Sequence, residues 1–294
     1  MEYNKKQCVK SPLNYTGGKS KLLPQILPLF PDKVGTFIDL FCGGCNVGSN
    51  VNADKVIYND YMSQIIELFK NWKDTNLEDT IQYVETQIEK FNLTKQNQEG
   101  FLELRKQYNE YRDIRDLFVL VAYAFNHQIR FNSKGEYNMP FGKDRSEYNK
   151  NMKTNLINFI TRIQEQDSTF LNKSFDELNV EEFTKDTFVY ADPPYLITVA
   201  SYNENGGWNE QMEYKLLEYL DKCTENGIKF ALSNVLEMND KSNDILKKWA
   251  QEKGYNIHHL NYTYGNCNYH KLDKTVGLTD EVLITNYCNK VKFT

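Results

Sequence analysis

The 294 residues contain no apolar run long enough to cross a membrane. The first ten residues, MEYNKKQCVK, also lack the apolar core of a secretory signal peptide. We find no internal repeat, no low-complexity tract and no long linker rich in proline, glycine or serine. These absences argue against a membrane protein or a repeat array, and they predict a cytoplasmic protein whose parts pack closely.

Cysteine is scarce and irregularly placed, at positions 8, 42, 45, 223, 267 and 288. Without an export signal, this spacing favours free thiols in a reducing compartment over a disulfide framework. Cys42 and Cys45 form a CxxC pair, but with no second pair and no nearby histidine they make at most half of a zinc site. We therefore expect no bound metal.

A positive net charge is missing as well, because the chain carries a formal charge of −5. That sign is unfavourable for binding a polyanion, whose affinity comes largely from phosphate contacts. The charge is uneven, however: residues 126–153 hold six basic and three acidic side chains, whereas residues 74–116 are rich in Glu and Asp. This distribution is compatible with a polarised surface that has one basic face. It is equally compatible with charges spread over ordinary solvated faces.

The most informative motif is the tetrapeptide formed by residues 192–195, Asp-Pro-Pro-Tyr, which follows the apolar run 187–191. That run is typical of a buried strand. The prolines hold the backbone extended, so the Asp192 carboxylate, the Pro193 carbonyl and the Tyr195 ring form a preset cluster. Two oxygens can accept both hydrogens of an exocyclic amine while the ring stacks on its heterocycle. The motif therefore predicts a site that binds a planar amine and makes it nucleophilic. A Pro-Pro turn after a core strand is the alternative.

A second cluster lies upstream, where the apolar segment 35–41 runs into the glycine-rich loop 42–48. Backbone can approach a ligand closely in such a loop. The run 56–60 then predicts another strand, which ends in the carboxylate of Asp60 and could hold ribose hydroxyls. The spacing is not GxGxxG, and a tight turn between strand and helix is the alternative. The loop residues that we predict to contact such a ligand are Asp39, Phe41 and Gly43.

The segment 14–20, NYTGGKS, ends in GKS but does not fit a P-loop. Leu13 stands where the first P-loop glycine is required, and no strand precedes the segment. Its free backbone amides, with Tyr15 and Lys19, suit instead the amino-acid end of a zwitterionic cofactor such as S-adenosylmethionine.

Apolar periodicity predicts helices around residues 81–91 and 101–108 and over 117–125. From residue 187 onward, strands alternate with helices: strands at 187–191, 228–234, 255–264 and 281–287, and helices at 211–225 and 243–253 closed by glycines. This alternation predicts an α/β fold. The turn-rich segment 130–138, RFNSKGEYN, favours a hairpin.

With these clusters in this order, the chain resembles the Dam-type DNA adenine-N6 methyltransferases over nearly its whole length. The resemblance implies a doubly wound, mostly parallel, Rossmann-like sheet in a discontinuous catalytic domain of residues 1–62 and 154–294. Residues 63–153 would form an inserted, mainly helical target-recognition domain that carries the hairpin. The matching segments are YTGGK, FIDLFCGG, Asp60, RFNSKGEYNMPFG, DPPY, FALSN and EVLITNY.

The same resemblance implies transfer of the methyl group of S-adenosylmethionine to N6 of an adenine flipped out of duplex DNA. The cofactor contacts carried over are Tyr15, Lys19, Asp60 and Asp192. The catalytic residues would be Asp192, Pro193, Pro194 and Tyr195. The hairpin would enter the DNA, with Arg130 as base reader and with Phe131 and Tyr137 either stacking on DNA or packing within the hairpin. Asn132 and Lys134 complete the predicted DNA-binding set.

Some positions depart from the family pattern. Asn14 stands where members that recognise GATC commonly place a lysine, so the recognition sequence stays open. Cys45 replaces a small residue, the stretch 201–208 is unlike that of the founding member, and Trp208 is left without a role. The alternatives are a methyltransferase that acts on adenine in RNA, one that acts on cytosine N4 in DNA, and a non-catalytic DNA-binding relative. We expect a monomer from a bacterium or phage, with or without an accompanying restriction endonuclease.

Overall fold

The computed structural model describes residues 8–198, 207–260 and 279–288. In this part of the chain a single sheet contains eight strands in the order β3-β2-β1-β4-β5-β8-β7, with the short β6 paired to β5. The strands are β1 (Thr36–Asp39), β2 (Lys55–Asn59), β3 (Ser168–Leu171), β4 (Thr187–Ala191), β5 (Lys229–Met238), β6 (Lys241–Ser242), β7 (Asn256–Leu260) and β8 (Thr279–Thr285).

The strands from β3 to β5 run parallel, whereas β8 is antiparallel to β5 and β7 is antiparallel to β8. The predicted α/β class with a mostly parallel sheet is therefore confirmed. In the register of the two central strands, Asp39 lies opposite Tyr190. The carboxyl ends of β1 and β4 consequently meet at the same edge of the sheet, which is where open α/β folds bind their ligands.

Asparagine side chains begin most of the long helices, because an asparagine oxygen can accept from a backbone N–H that has no partner inside the helix. Asn76, Asn97, Asn149, Asn209 and Asn243 act in this way. Gly254, with a φ of 66°, ends the last helix as predicted. The helices of the described residues are α1 (Leu23–Ile26), α2 (Ser63–Asp74), α3 (Leu77–Lys90), α4 (Gln98–Tyr111), α5 (Ile114–Tyr123), α6 (Lys150–Glu165), α7 (Glu210–Glu225) and α8 (Asp244–Lys253).

Helices α2 to α5 lie between β2 and β3 in the chain and form a helical insertion, as predicted. The most apolar of them, α5, is buried from Asp116 to Tyr123. One hydrophobic cluster joins Phe118 of this helix to Phe37 of the sheet. The insertion thus shares its core with the sheet, and the boundary at residues 63 and 153 stays a prediction.

Two strands of the sheet, β3 and the short β6, were not predicted. Strand β3 follows α6 directly and pairs with β2, which extends the sheet at one edge. Strand β7 ends at Leu260, and the predicted continuation over 261–264 lies outside the described residues. No helix of the described part is long and apolar enough to cross a membrane.

Candidate active site

The glycine loop after β1 is shaped by a close contact between Gly43 and Tyr15. Gly43 has a φ of 47°, and a Cβ atom there would lie 2.8 Å from two atoms of the Tyr15 ring. Only glycine adopts this backbone conformation without strain and also leaves room for the ring. The N-terminal loop and the glycine loop, which we predicted separately, therefore form one surface.

Asp60, directly after β2, ties the same loop to the neighbouring strand. One oxygen of its carboxylate accepts from the Gly43 amide at 2.8 Å, and the other accepts from the Met62 amide at 2.9 Å. Burial raises the pKa of Asp60, and these backbone hydrogen bonds oppose the rise. Each carboxylate oxygen has a second lone pair, so Asp60 can still accept from a ligand hydroxyl.

Asp39 lies beneath the loop. Its side chain accepts from the Gly48 amide at 3.1 Å, and only 2% of the residue is exposed. Burial raises the pKa of Asp39 to about 8. Asp39 thus supports the loop, and a contact of this residue with a cofactor stays a prediction.

The Asp-Pro-Pro-Tyr segment leaves β4 beside the glycine loop. Oδ1 of Asp192 accepts from Nζ of Lys19 at 2.8 Å and from the hydroxyl of Tyr195 at 2.9 Å. Burial raises the pKa of Asp192, whereas the Lys19 ammonium and the Tyr195 hydroxyl lower it. Lys19 also donates to the Gly17 carbonyl at 2.8 Å and lies 5.0 Å from the centre of the Tyr195 ring. Pro193 is buried and Pro194 is exposed.

A cavity of about 510 Å³ opens next to Asp60. The two residues that follow Asp60 form one wall, and the hairpin contributes Phe131. The position of this cavity at the carboxyl edge of the sheet suits a nucleoside. Its lining residues are Tyr61, Met62, Ser63, Gln64, Phe131, Asn172, Lys173, Ser174 and Glu177.

The predicted hairpin is present, and side-chain hydrogen bonds hold both its turn and one of its arms. Phe131 and Tyr137 form an antiparallel bridge, and the side chain of Asn132 accepts from the backbone amides of Lys134 and Glu136. Asn109 of α4 bonds to both backbone groups of Tyr137. The side chain of Asn132 therefore holds the turn.

Three predicted DNA contacts differ in their surroundings. Arg130 is exposed, and its guanidinium donates to the side-chain and backbone oxygens of Asn138 at 2.8 and 3.0 Å. Lys134 is exposed near the tip of the hairpin. Phe131 is half-buried against Tyr108 and Tyr137.

Tyr137, which we assigned to the DNA-binding set, is packed inside the hairpin in this structure, and its contact with DNA stays a prediction. Only 1% of the residue is exposed, and its hydroxyl donates to the Gln128 carbonyl at 2.9 Å. Of the two alternatives considered for this ring, packing within the hairpin is the one observed. Its neighbour across the bridge, Phe131, keeps an exposed fraction and reaches the cavity.

Asn14, the position that departs from the family pattern, links the N-terminal loop to the helical insertion. Its side-chain amide donates to the Asn126 carbonyl at 2.9 Å. Asn126 and His127 both have a φ of 54°, an uncommon conformation for residues other than glycine. The contact places Asn14 against the segment that follows α5.

Trp208 and Glu213 are parts of the site that the sequence did not reveal. The indole of Trp208 meets the Phe41 ring edge-on, with 5.6 Å between centroids, and donates to the buried Glu213 carboxylate at 2.6 Å. Asn243 donates to the other oxygen of that carboxylate at 3.1 Å. Trp208 therefore supports Phe41 of the glycine loop. No local pattern in the sequence predicts the contact between Trp208 and Phe41.

Glu281 was also missed, although it lies in a strand that was predicted. It is 1% exposed, and its Oε1 is 3.7 Å from Nζ of Lys19. Among the described residues, no group of three His, Cys, Asp or Glu side chains could hold a metal ion. Cys42 and Cys45 are buried free thiols.

The sequence of the chain is similar to one protein family and to several named proteins. The model of the D12 class N6 adenine-specific DNA methyltransferases matches residues 15–266. The type II methyltransferase M.FokI of Planomicrobium okeanokoites is 46% identical over 288 residues, which cover 97% of this chain and 44% of that protein. The modification methylase StsI of Streptococcus sanguinis is 44% identical over 289 residues, with the same coverage of 97% and 44%.

A more distant relative has a similar length. A DNA adenine methylase of Salmonella typhi is 27% identical over 243 residues, which cover 81% of this chain and 83% of that protein. The chain spans less than half the length of M.FokI and StsI, at 44% of each.

Proposed function

Because this chain belongs to the D12 class of N6 adenine-specific DNA methyltransferases, we propose that it methylates N6 of an adenine flipped out of duplex DNA, with S-adenosylmethionine as donor. The position of Asp192 carries the proposal. Its carboxylate lies at the end of β4, beside the glycine loop of β1, and is held by Lys19 and Tyr195. An acceptor for an amine and a candidate cofactor surface thus share one edge of the sheet.

The residues around the glycine loop fit the proposed cofactor. The cavity beside Asp60 has room for an adenosine moiety, and Asp60 can accept from ribose hydroxyls. When bound, S-adenosylmethionine supplies an electrophilic methyl group whose bond to sulfur breaks as the bond to N6 forms. We assign Tyr15 and Lys19 to its amino-acid end. The loop residues assigned with them are Asp39, Phe41 and Gly43.

The protein's own contribution to transfer is to hold and polarise the amine. Asp192 and the Pro193 carbonyl accept its two hydrogens, which directs the nitrogen lone pair towards the methyl carbon. Positioning two reactants in line is worth up to about 7–11 kcal/mol. The proton that N6 loses after transfer passes to the Asp192 carboxylate and then to water, and no covalent enzyme intermediate forms.

The target adenine must leave the helix before it can reach Asp192. Flipping costs a few kcal/mol, which contacts with the DNA have to offset. We assign Tyr195 to receive the extruded base by stacking, once its hydroxyl releases Asp192. The residues catalytic in this proposal are Asp192, Pro193, Pro194 and Tyr195.

Recognition of the DNA is assigned to the hairpin. Arginine bidentate to guanine is the commonest specific contact in the major groove, and Arg130 is an exposed arginine at the base of the hairpin. Lys134 supplies a positive charge for phosphate, while Phe131 and Asn132 hold the hairpin against the body of the protein. The names of the relatives, a type II methyltransferase and a modification methylase, support a role beside a restriction endonuclease.

Methyl incorporation tests the proposal directly. We expect the chain to transfer tritiated methyl groups from S-adenosylmethionine to unmethylated plasmid, and Asp192→Ala to abolish transfer in a protein that still folds, with a lower melting temperature because Lys19 loses this partner. Asp186→Ala is the matched control, because Asp186 is an exposed carboxylate at the opposite end of the same strand. An active Asp192→Ala protein would refute the role of this carboxylate. Sequencing of modified bases in the product then identifies the site.

A further inference from the structure

Three charged side chains meet at the candidate active site, although they are far apart in the chain. Nζ of Lys19 lies 2.8 Å from Oδ1 of Asp192 and 3.7 Å from Oε1 of Glu281. Lys19 is 3% exposed and Glu281 is 1% exposed, whereas the side chain of Asp192 is 18% exposed. Asp192 therefore faces the opening, and Glu281 lies behind the lysine.

Glu281 reaches this place from β8, on the side of the site away from the glycine loop. In the antiparallel pairing of β5 and β8, Glu281 lies opposite Val235. Val235 packs in one small hydrophobic cluster with Tyr195 and Ile197. The strand that carries Glu281 thus runs directly behind the Asp-Pro-Pro-Tyr segment, and a change at Glu281 acts on that segment through Lys19.

Glu281 is a carboxylate almost fully removed from water beside this ammonium. Removing a carboxylate from water is offset only by good partners, and a well-packed apolar side chain is often as stable at such a position. Here the Glu281 carboxylate is a second acceptor for an ammonium that is bound to Asp192. The ammonium is 0.9 Å nearer to Asp192 than to Glu281, so a small movement of one flexible side chain exchanges its partner.

On the proposed function, the ion pair between Lys19 and Asp192 opposes the binding of the target amine to Asp192. Lys19 and Tyr195 both donate to Oδ1 of Asp192, so that oxygen is occupied and Oδ2 is the one left to accept from an incoming amine. A carboxylate bound to an ammonium is also a weaker acceptor for an incoming amine, because the positive charge draws electron density from it. An adenine amine would bind best to Asp192 after Lys19 has moved away.

We propose that Glu281 is a positioning residue for methyl transfer: it takes over the Lys19 ammonium when the target adenine replaces Lys19 on Asp192. This inference rests on the proposed function of Asp192. The exchange moves no proton and breaks no covalent bond. Glu281 contacts neither the cofactor nor the base, and it acts only through Lys19.

A double-mutant cycle tests this role. Glu281→Gln keeps the shape of the side chain and removes its charge, and Lys19→Met removes the ammonium. We expect Glu281→Gln to lower kcat by roughly 10- to 100-fold, a range typical of coupled neighbours, with little change in the KM for DNA. In the Lys19→Met background the same substitution should lower kcat no further. An equal loss in both backgrounds, or no loss in the first, would overturn the proposal.

Two readouts besides turnover separate this role from a structural one. We expect Glu281→Gln to keep the Kd for S-adenosylmethionine, measured by calorimetry, within about threefold, because Glu281 acts behind the site. Fluorescence of 2-aminopurine placed next to the mapped target adenine, which is unstacked when that adenine leaves the helix, should report less extruded base for Glu281→Gln than for the unchanged protein. Equal extrusion by both proteins would contradict the exchange of partners.

The controls keep the outcome interpretable. Asp280→Asn removes the adjacent carboxylate, which pairs with His259 at 2.7 Å, and should leave kcat unchanged. If Glu281→Gln does not fold, the cycle is repeated with Glu281→Asp, whose shorter side chain should lose activity only while Lys19 is present. An unchanged protein that does not methylate DNA refutes the proposed function; an active one that tolerates Glu281→Gln refutes this inference alone.

Discussion

The hydroxyl of Tyr195 donates a hydrogen bond to Oδ1 of Asp192, and the two oxygens are 2.9 Å apart. The ring that we assign to stacking on the target base is thereby held against the carboxylate that we assign to its amine. On the proposed function, an amine that binds Oδ1 of Asp192 competes with this hydrogen bond.

Tyr195→Phe therefore removes a bond that opposes base entry while it keeps the stacking ring. A typical net hydrogen bond is worth about 0.5–1.5 kcal/mol, so we expect the KM for DNA to stay the same or to fall by up to roughly tenfold. Tyr195→Ala removes the ring as well, and we expect kcat/KM to fall by roughly 5- to 150-fold, because stacking of a base on an aromatic ring is worth about 1–3 kcal/mol. Steady-state kinetics on the mapped duplex measure both. A Phe variant as inactive as the Ala variant would show that the hydroxyl itself is needed.

The pKa of Asp39, raised to about 8 by burial, predicts how stability depends on pH. Between the unfolded value near 4 and the folded value near 8, the folded protein keeps a proton that the unfolded chain has lost. The contribution of this group is thus fully present below pH 4 and is lost as the pH rises towards 8, by up to about 1.4 kcal/mol per pH unit.

Asp39→Asn should abolish this dependence, because the amide oxygen can still accept from the Gly48 amide and has no proton to lose. We expect the variant to gain in melting temperature relative to the unchanged protein at pH 8 and to differ little at pH 5. Thermal unfolding at the two pH values provides the measurement. The same difference at both would mean that Asp39 is ionised in the fold.

Much of the sheet was predictable, because the signals for it are local. The run 187–191 is apolar throughout and is followed by prolines, and it forms β4 with the predicted bounds. Strand β3 was missed because Ser168 to Leu171 is a short segment with one buried residue, and its strand character depends on pairing with β2. Whether such a short segment forms a strand depends on its tertiary pairing more than on its own sequence.

The candidate site divides in the same way. Gly43, Asp60 and Asp192 stand at the ends of predicted strands, so their meeting follows from the parallel order of the sheet. The side on which a hairpin residue faces does not follow, and the burial of Tyr137 could not be predicted from its place in the segment. The position of Glu281 behind Lys19 depends on a contact across 262 residues of chain, which no local pattern encodes.

Arg130 offers a test of the recognition surface. We expect Arg130→Ala to relax sequence choice at one base pair, with a loss of about 1–3 kcal/mol in discrimination, and to leave the Kd for S-adenosylmethionine unchanged. Arg115→Ala is the matched control, because this arginine of the same insertion pairs locally with Asp113 at 2.6 Å. Sequencing of modified bases after methylation of a mixed substrate compares the two. Identical patterns for both variants would remove Arg130 from the recognition set.

Gly43 and Gly227 allow backbone strain to be separated from ligand binding. Both have a positive φ, 47° and 72°, so replacement by alanine strains either backbone by roughly 1 kcal/mol or more. A Cβ atom at Gly43 would also press on the Tyr15 ring, whereas one at Gly227 meets nothing within 4 Å. Gly43→Ala must therefore displace Tyr15 or the loop.

We expect both alanine variants to lose a few degrees of melting temperature, of the order that about 1 kcal/mol produces in a protein of this size. Only Gly43→Ala should weaken the binding of S-adenosylmethionine, by at least about tenfold, since 1.4 kcal/mol lost from the Tyr15 contact is enough for that change. Calorimetric titration of each variant with S-adenosylmethionine gives the comparison. If the two variants bind alike, Tyr15 and the glycine loop do not form the cofactor surface. If only Gly43→Ala binds weakly, strain alone cannot be the cause, because Gly227→Ala carries the same strain.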